Sequence, residues 1–240
     1  MSRSLPVSLP LLAIAVGALL PAGALARPSY DFDAPCYSEG DSMVFSGGGY
    51  TPNGEVNLLF SANGRIGGTY GTRADANGAI GGRLNVPDMD RFMDSSEDTT
   101  EVFSSANDRT RLDAEGPSEN GAGFTTFQFA RFGFRLRTPG DRDITPRRSV
   151  TVAATGYTNA VGKRAYLHYR RGGRTLKTVR LGTFKTACGN VTRTLPRAFP
   201  FKPVPAGEYT LTVNASRTSA ARAPRTWDKI KVARRDAVRR

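Results

Sequence analysis

The chain has 240 residues, of which 39% are hydrophobic and 23% charged, and it carries a formal charge of +13. That much apolar material excludes wholesale disorder, while 26 Gly and 15 Pro spread along the chain suit many short strands joined by turns. One His and two Cys exclude a four-ligand zinc site, and long runs of helical period are missing, so the expectation is an all-β protein.

Residues 1–26 read as a secretory signal. Arg3 supplies the positive start, "LPVSLPLLAIAVGALL" the apolar stretch, and Ala24-Leu25-Ala26 a small-residue cleavage site before Arg27. The competing reading, a retained membrane anchor, is poorly served by the prolines and the short apolar run. No Cys follows that run to take a lipid, and no second run of membrane length occurs. The mature chain is therefore expected to be exported, with no transmembrane segment.

A first, acidic domain is expected over 27–137. "DSMVFSGGGYTPNGEVNLLF" predicts a strand, a glycine-rich turn, and a strand with Val56, Leu58 and Phe60 on one face. "ADANGAIGGRLNVP" predicts a turn at Asn77-Gly78, then a half-buried strand with Ile80, Leu84 and Val86 at even spacing and polar Arg83 and Asn85 between them. Residues 88–101 have no strand period and read as an acidic loop. Its Asp88, Asp90, Asp94, Glu97 and Asp98 are oxygen donors of the kind calcium takes, but their spacing fits no helix-loop-helix site and the turn lacks a glycine. A solvated loop with no metal is the expectation. In "FTTFQFARFGFRLRTPG" the apolar parity is odd at Phe127 and Phe129, then even at Phe132, Phe134 and Leu136, which predicts a β-bulge or a strand crossing between sheets.

"TPGDRDITPRR" reads as a linker into a second, basic domain over 138–228, with an arginine-rich tail over 229–240. In "SVTVAATGYTNAVGKRAYLHYR" the triplet Gly156-Tyr157-Thr158 repeats Gly49-Tyr50-Thr51, each copy lying between two strands. Together with these flanks, the echo predicts two related sandwiches. "VPAGEYTLTVNAS" closes the second, with Tyr209, Leu211 and Val213 inward and Thr210 and Thr212 outward.

The stretches "FSGGGYTPNGEVNLLF" and "RADANGAIGGRLNVP", with "KRAYLHYRRGGRTLKTVRLG", "ACGN" and "VPAGEYTLTV", resemble the tandem Ig-like modules of exported actinobacterial proteins, over most of residues 36–215. In that family a Gly-aromatic-Thr-Pro turn precedes one strand, and an Asp-Ala-x-Gly turn precedes another that ends in Val-Pro. The resemblance implies two Ig-like β-sandwich domains on the cell exterior. Its motifs are turn chemistry, so it brings no catalytic residues and no cofactor, and the acidic loop and arginine-rich end lie outside it. It also implies a bacterial source, which makes "NVT" at 190 and "NAS" at 214 chance matches to the glycosylation acceptor.

Cys36 and Cys188 are the only cysteines. In an oxidising compartment they make at most one bridge, read here as a staple between the domains; free thiols and an intermolecular bridge are the alternatives. For a loop this long, chain entropy gives about 4 to 5 kcal/mol as an upper figure.

Charge is segregated. Residues 1–130 carry a net −8 and residues 131–240 a net +21, which together make the formal +13. A solvated surface biased toward arginine, attraction of acidic for basic domains, and adhesion of the basic domain to polyanions all accommodate this. The candidate polyanion-binding residues are Arg164, His168, Arg170, Arg171, Arg174, Lys177, Arg180, Arg234 and Arg235. Possible partners are an anionic envelope polymer or an acidic protein surface; nothing supports sequence-specific nucleic-acid readout. In "RAYLHYR", Ala165, Leu167 and Tyr169 face the core, which puts Arg164, Tyr166, His168 and Arg170 on the outer face. Arg171-Gly172-Gly173-Arg174 then fits a tight hairpin turn. The hairpin either grips an anion or is merely its wet side.

Every Ser-His-Asp or Cys-His proposal must pass through His168, which sits between two tyrosines in mid-strand with no acid nearby and no nucleophile elbow. No glycine loop opens a helix to cradle phosphate. The sequence points to a non-enzymatic binding or structural protein, with a hydrolase as the remote alternative.

Overall fold

Where apolar residues alternate, the chain pairs into strands, and where glycine or proline interrupts, it turns. The computed structural model describes residues 27–88, 93, 98–115, 121–141, 143–218 and 225–233. The signal at 1–26, the acidic-loop carboxylates Asp90, Asp94 and Glu97, and Arg234 and Arg235 of the tail lie outside the described residues.

In the first sandwich, β1 (Ser29–Phe32), β3 (Ser42–Gly48) and β6 (Ile80–Asn85) form one sheet, ordered β1-β3-β6. Facing it are β2 (Cys36–Ser38), β4 (Glu55–Ala62), β5 (Arg65–Arg73), β7 (Thr99–Asp108) and β8 (Ala122–Ala130), ordered β2-β8-β7-β4-β5. Among the described strands only β2 pairs parallel, to β8. A short helix, α1 (Arg109–Glu115), follows β7. The core lies between the sheets, with Val56, Leu58, Phe60, Phe127 and Phe129 all buried as their spacing predicts. Each such side chain contributes about 1.5–3 kcal/mol when fully buried.

The second sandwich pairs β9 (Gly133–Arg137), β10 (Val150–Thr155) and β13 (Val191–Leu195) in the order β13-β10-β9. Its other sheet holds β11 (Arg164–Arg171), β12 (Arg174–Thr183), β14 (Gly207–Asn214) and β15 (Arg225–Val232), ordered β12-β11-β14-β15. With β2 set aside, the strand orders of the two sandwiches coincide element for element. Tyr209, near the start of β14, donates its hydroxyl to Pro205 O at 2.7 Å. This is the tyrosine corner of Ig-type sandwiches. The fold is therefore all-β, built of Ig-like sandwiches.

The Gly-Tyr-Thr echo is structural. Gly49 and Gly156 take φ of 85° and 77°, and Tyr50 and Tyr157 behind them are each 1% exposed. A second glycine closes each copy. A Cβ at Gly78 would lie 2.3 Å from Tyr50 O, and one at Gly189 2.1 Å from Tyr157 O.

The structure corrects the expected outline in several places. The parity change after Phe129 is a crossing, since β8 pairs with β7 while β9 pairs with β10. A division after Arg137 therefore cuts β9 from its own sheet. The tail expected from 229 onward begins inside β15, where Ile230 and Val232 reach the second core and alternate with exposed Lys229 and Lys231. The acidic loop ends sooner than expected, because Thr99–Glu101 already belong to β7.

The sandwiches meet where β8 runs into β9. Cys36 on β2 and Cys188, in the turn between β12 and β13, form a disulfide that is buried with Ala130. Beside it Asp41 Oδ2 accepts from Ser38 N and from the Thr158 hydroxyl, both at 2.8 Å, and Asn159 Nδ2 donates to Asp41 Oδ1 at 3.1 Å. Asp98 and Arg135 pair across the joint at 3.0 Å.

Candidate functional site

The β11–β12 hairpin forms as its spacing predicts. Ala165, Leu167 and Tyr169 are fully buried, and Gly172 and Gly173 close a two-residue turn with φ of 52° and 79°. Two positive φ values in succession are what a type I′ hairpin turn demands. Arg164, Arg174, Lys177 and Arg180 are exposed. Lys177 stands in register with inward-facing Tyr169, yet it reaches solvent because β12 is the sheet edge.

His168 departs from the expectation. It lies on the outer face of β11 but is 0% exposed. The turn after β14 folds over it, so Nε2 lies 3.0 Å from both Asn214 Oδ1 and Ser216 O, while Nδ1 lies 3.0 Å from Thr178 Oγ1. Two acceptors at Nε2 require that nitrogen to carry a proton and donate. His168 therefore ties β11, β12 and β14 together and does not reach an external anion. Thr212, expected outward, is buried as well, as is Asn214, whose Oδ1 accepts from Ser216 N inside the fold.

Arg170 and Arg171 are partly committed to the fold as well. Arg170 donates to Gly173 O at 2.9 Å, bracing the turn. Arg171 donates to Ala206 O at 2.9 Å and lies over the Tyr209 ring, 5.6 Å from its centroid. Burial raises the Tyr209 hydroxyl pKa, and the Arg171 guanidinium partly offsets the rise.

The strand registers divide these cations between the two ends of the second sandwich. Arg164 pairs with Thr183 toward the joint, whereas Arg171 and Arg174 face each other at the far end, about 24 Å along the ribbon. At that far end Val150 pairs with Leu195 and Gly207 with Val232, which brings the neighbouring loops to the hairpin tip. Exposed Arg147, Arg197 and Lys202 join Arg174 there. No local sequence pattern marks these three, because Arg147 lies some 50 positions from the other two.

Among the described residues no three His, Cys, Asp or Glu gather as a metal site requires. No helix among them is long and apolar enough to cross a membrane.

No protein-family model and no curated protein matches this chain. Among solved structures, a tetra-tandem repeat from the extending region of a large adhesion protein is similar at 18% identity and a TM-score of 0.29, over 86% of this chain and 49% of that one. The chain thus spans about half the length of that structure. Red sea bream transglutaminase is similar at 13% identity and TM-score 0.30, over 87% of this chain and 31% of that one. The human OSCAR ligand-binding domain is similar at 10% identity and TM-score 0.30, over 85% and 97%. At such scores the likeness says nothing of function; the strand order and the tyrosine corner carry the fold.

Proposed function

We propose that the protein is a non-enzymatic, exported binding module of the cell envelope, made of an acidic sandwich and a basic sandwich that attaches to anionic polymers. In this reading a signal is removed near Ala26, the sandwiches divide near Arg131, and the tail with Arg234 and Arg235 adds to the attachment. The disulfide fits an oxidising exterior. The observation that carries the reading is the gathering of exposed Arg147, Arg174, Arg197 and Lys202 at the end of the second sandwich that points away from the first. Cations from separate loops on one end make a sequence-tolerant electrostatic surface. Arg164, Lys177 and Arg180 extend it along the hairpin.

The test is retention of the exported protein on immobilised dextran sulfate. Retention is expected at low salt and lost as salt rises, and an Arg174→Ala/Lys177→Ala/Arg180→Ala variant should elute earlier. Absence of retention, or retention that ignores salt, would refute the attachment. A second reading, head-to-tail association of the acidic sandwich of one copy with the basic sandwich of another, is favoured by the −8 and +21 halves. Sedimentation at low and high salt separates the two, because self-association gives oligomers that salt dissolves.

A further inference from the structure

At the far end of the second sandwich a cleft of about 350 Å³ opens between the loop preceding β10 and the loop between β13 and β14. Arg147, Arg197 and Lys202 line it over a floor that includes Phe199 and Phe201. Its size is at the small end of the range for ligand sites, about 300–1,000 Å³.

The cleft is held by the fold and is not an accident of loose loops. Ala198 N donates to Arg148 O at 2.6 Å and Phe199 N to Pro146 O at 3.2 Å, which zips the two loops together. Tyr169 then donates its hydroxyl to Ala198 O at 2.7 Å from below. The floor is locked by ring contacts: Phe199 lies 4.9 Å from Tyr209 and 5.9 Å from Phe201, and Tyr169 lies 5.5 Å from Phe201. Arg148 turns away and donates to Asp143 O at 3.3 Å. Arg147, Arg197 and Lys202, by contrast, have no carboxylate partner among the described residues. An aromatic floor with Phe201 partly exposed, ringed by cations that have no carboxylate partner among the described residues, has a complementary ligand of definite chemistry. It must carry a compact oxyanion for the guanidinium forks and a small carbon face for the rings.

We infer that this cleft binds one anionic sugar or sugar-phosphate unit of the polymer, its phosphate or carboxylate between Arg147, Arg197 and Lys202 and its ring against Phe201. This rests on the polyanion reading above and deepens it, turning a diffuse attraction into a seat for one residue of the polymer. Arg171 of the hairpin donates to Ala206 O in the same loop that carries Lys202, so a longer chain leaving the cleft has the hairpin tip as its next contact.

The test follows backbone amide shifts of the full exported protein during titration with glucose 6-phosphate, glucuronate and neutral glucose. An anion should shift amides of 145–148 and 197–204 and saturate at about 1 mM, while glucose leaves them still. An Arg147→Ala/Arg197→Ala variant, both sites being exposed and its thermal midpoint unchanged, should bind at least about tenfold more weakly. The hairpin variant Arg174→Ala/Lys177→Ala/Arg180→Ala should retain the cleft response. Tighter phosphate binding would name a phosphodiester polymer as the source, and tighter carboxylate binding a uronate-containing one. Failure of both anions to saturate, shifts spread evenly over the basic surface, or wild-type binding by the cleft variant would overturn the inference. A silent cleft with dextran sulfate retention intact would remove the cleft alone. An unretained protein whose cleft still saturates would remove the polymer reading and leave a small-anion site.

Discussion

Tyr50 and Tyr157 fill the same position in the two sandwiches, yet their hydroxyls are treated differently. Tyr157 donates to Val213 O at 2.9 Å, whereas the Tyr50 hydroxyl is buried with no hydrogen-bond partner among the described residues. Burial pushes the Tyr50 pKa well above the usual tyrosine range. A buried polar group without a partner costs stability, and a satisfied one contributes about 1 kcal/mol. Tyr157→Phe is therefore expected to destabilise by about 1 kcal/mol and Tyr50→Phe to be neutral or stabilising. Urea midpoints of the two variants decide it, and equal losses would contradict the difference. Both tyrosines were legible as an echo in the sequence; the fate of their hydroxyls was not, because it depends on strands more than 50 residues away. His168 teaches the same lesson. Alternation placed it on the outer face correctly, but the turn carrying Ser216 that seals it has no signature near residue 168.

Turns show how far the backbone dictates sequence. Gly189 and Gly64 both have positive φ, 63° and 72°, but a Cβ at Gly189 meets Tyr157 O at 2.1 Å while one at Gly64 meets nothing within 4 Å. Gly64→Ala should cost about 1 kcal/mol, the left-handed backbone penalty alone. Gly189→Ala adds a collision with backbone and should cost more than about 3 kcal/mol, so its thermal midpoint should fall well below that of Gly64→Ala. Strands with large inward residues were legible, as in β4 and β11. Strand β7 was not, for a physical reason. Its inward positions are Thr100, Val102, Ser104, Ala106 and Asp108, mostly small or polar, while its large Phe103 faces solvent and stacks on Phe124 at 5.5 Å. The large apolar residue thus sits on the wrong face to mark the strand. Strand β5 is an exposed edge with three glycines and shows no pattern at all.

Across the whole molecule two cores are joined by one covalent bridge and a few polar contacts. Because each core is built from its own strands, a Cys36→Ser/Cys188→Ser variant should keep its β circular dichroism while losing up to about 5 kcal/mol of stability. Collapse of the spectrum at room temperature would show that the sandwiches do not stand without the bridge. Adding Asp41→Ala removes the side-chain clamp, and small-angle scattering should then report a larger radius than either change alone produces. The cysteine pairing was legible from their number together with an expectation of export, and the charge imbalance from simple counting. The cleft was not, since Arg147, Arg197 and Lys202 become neighbours only through two backbone hydrogen bonds. The bridge also has a mechanical consequence. Tension applied ahead of Cys36 and beyond Cys188 passes straight through sulfur, so the span of 152 positions between them carries no load. Cutting that shortcut with a reductant would put the folded span under load and open up to roughly 500 Å of contour length to unfolding, so the redox state of the bridge would set how far the protein stretches when pulled.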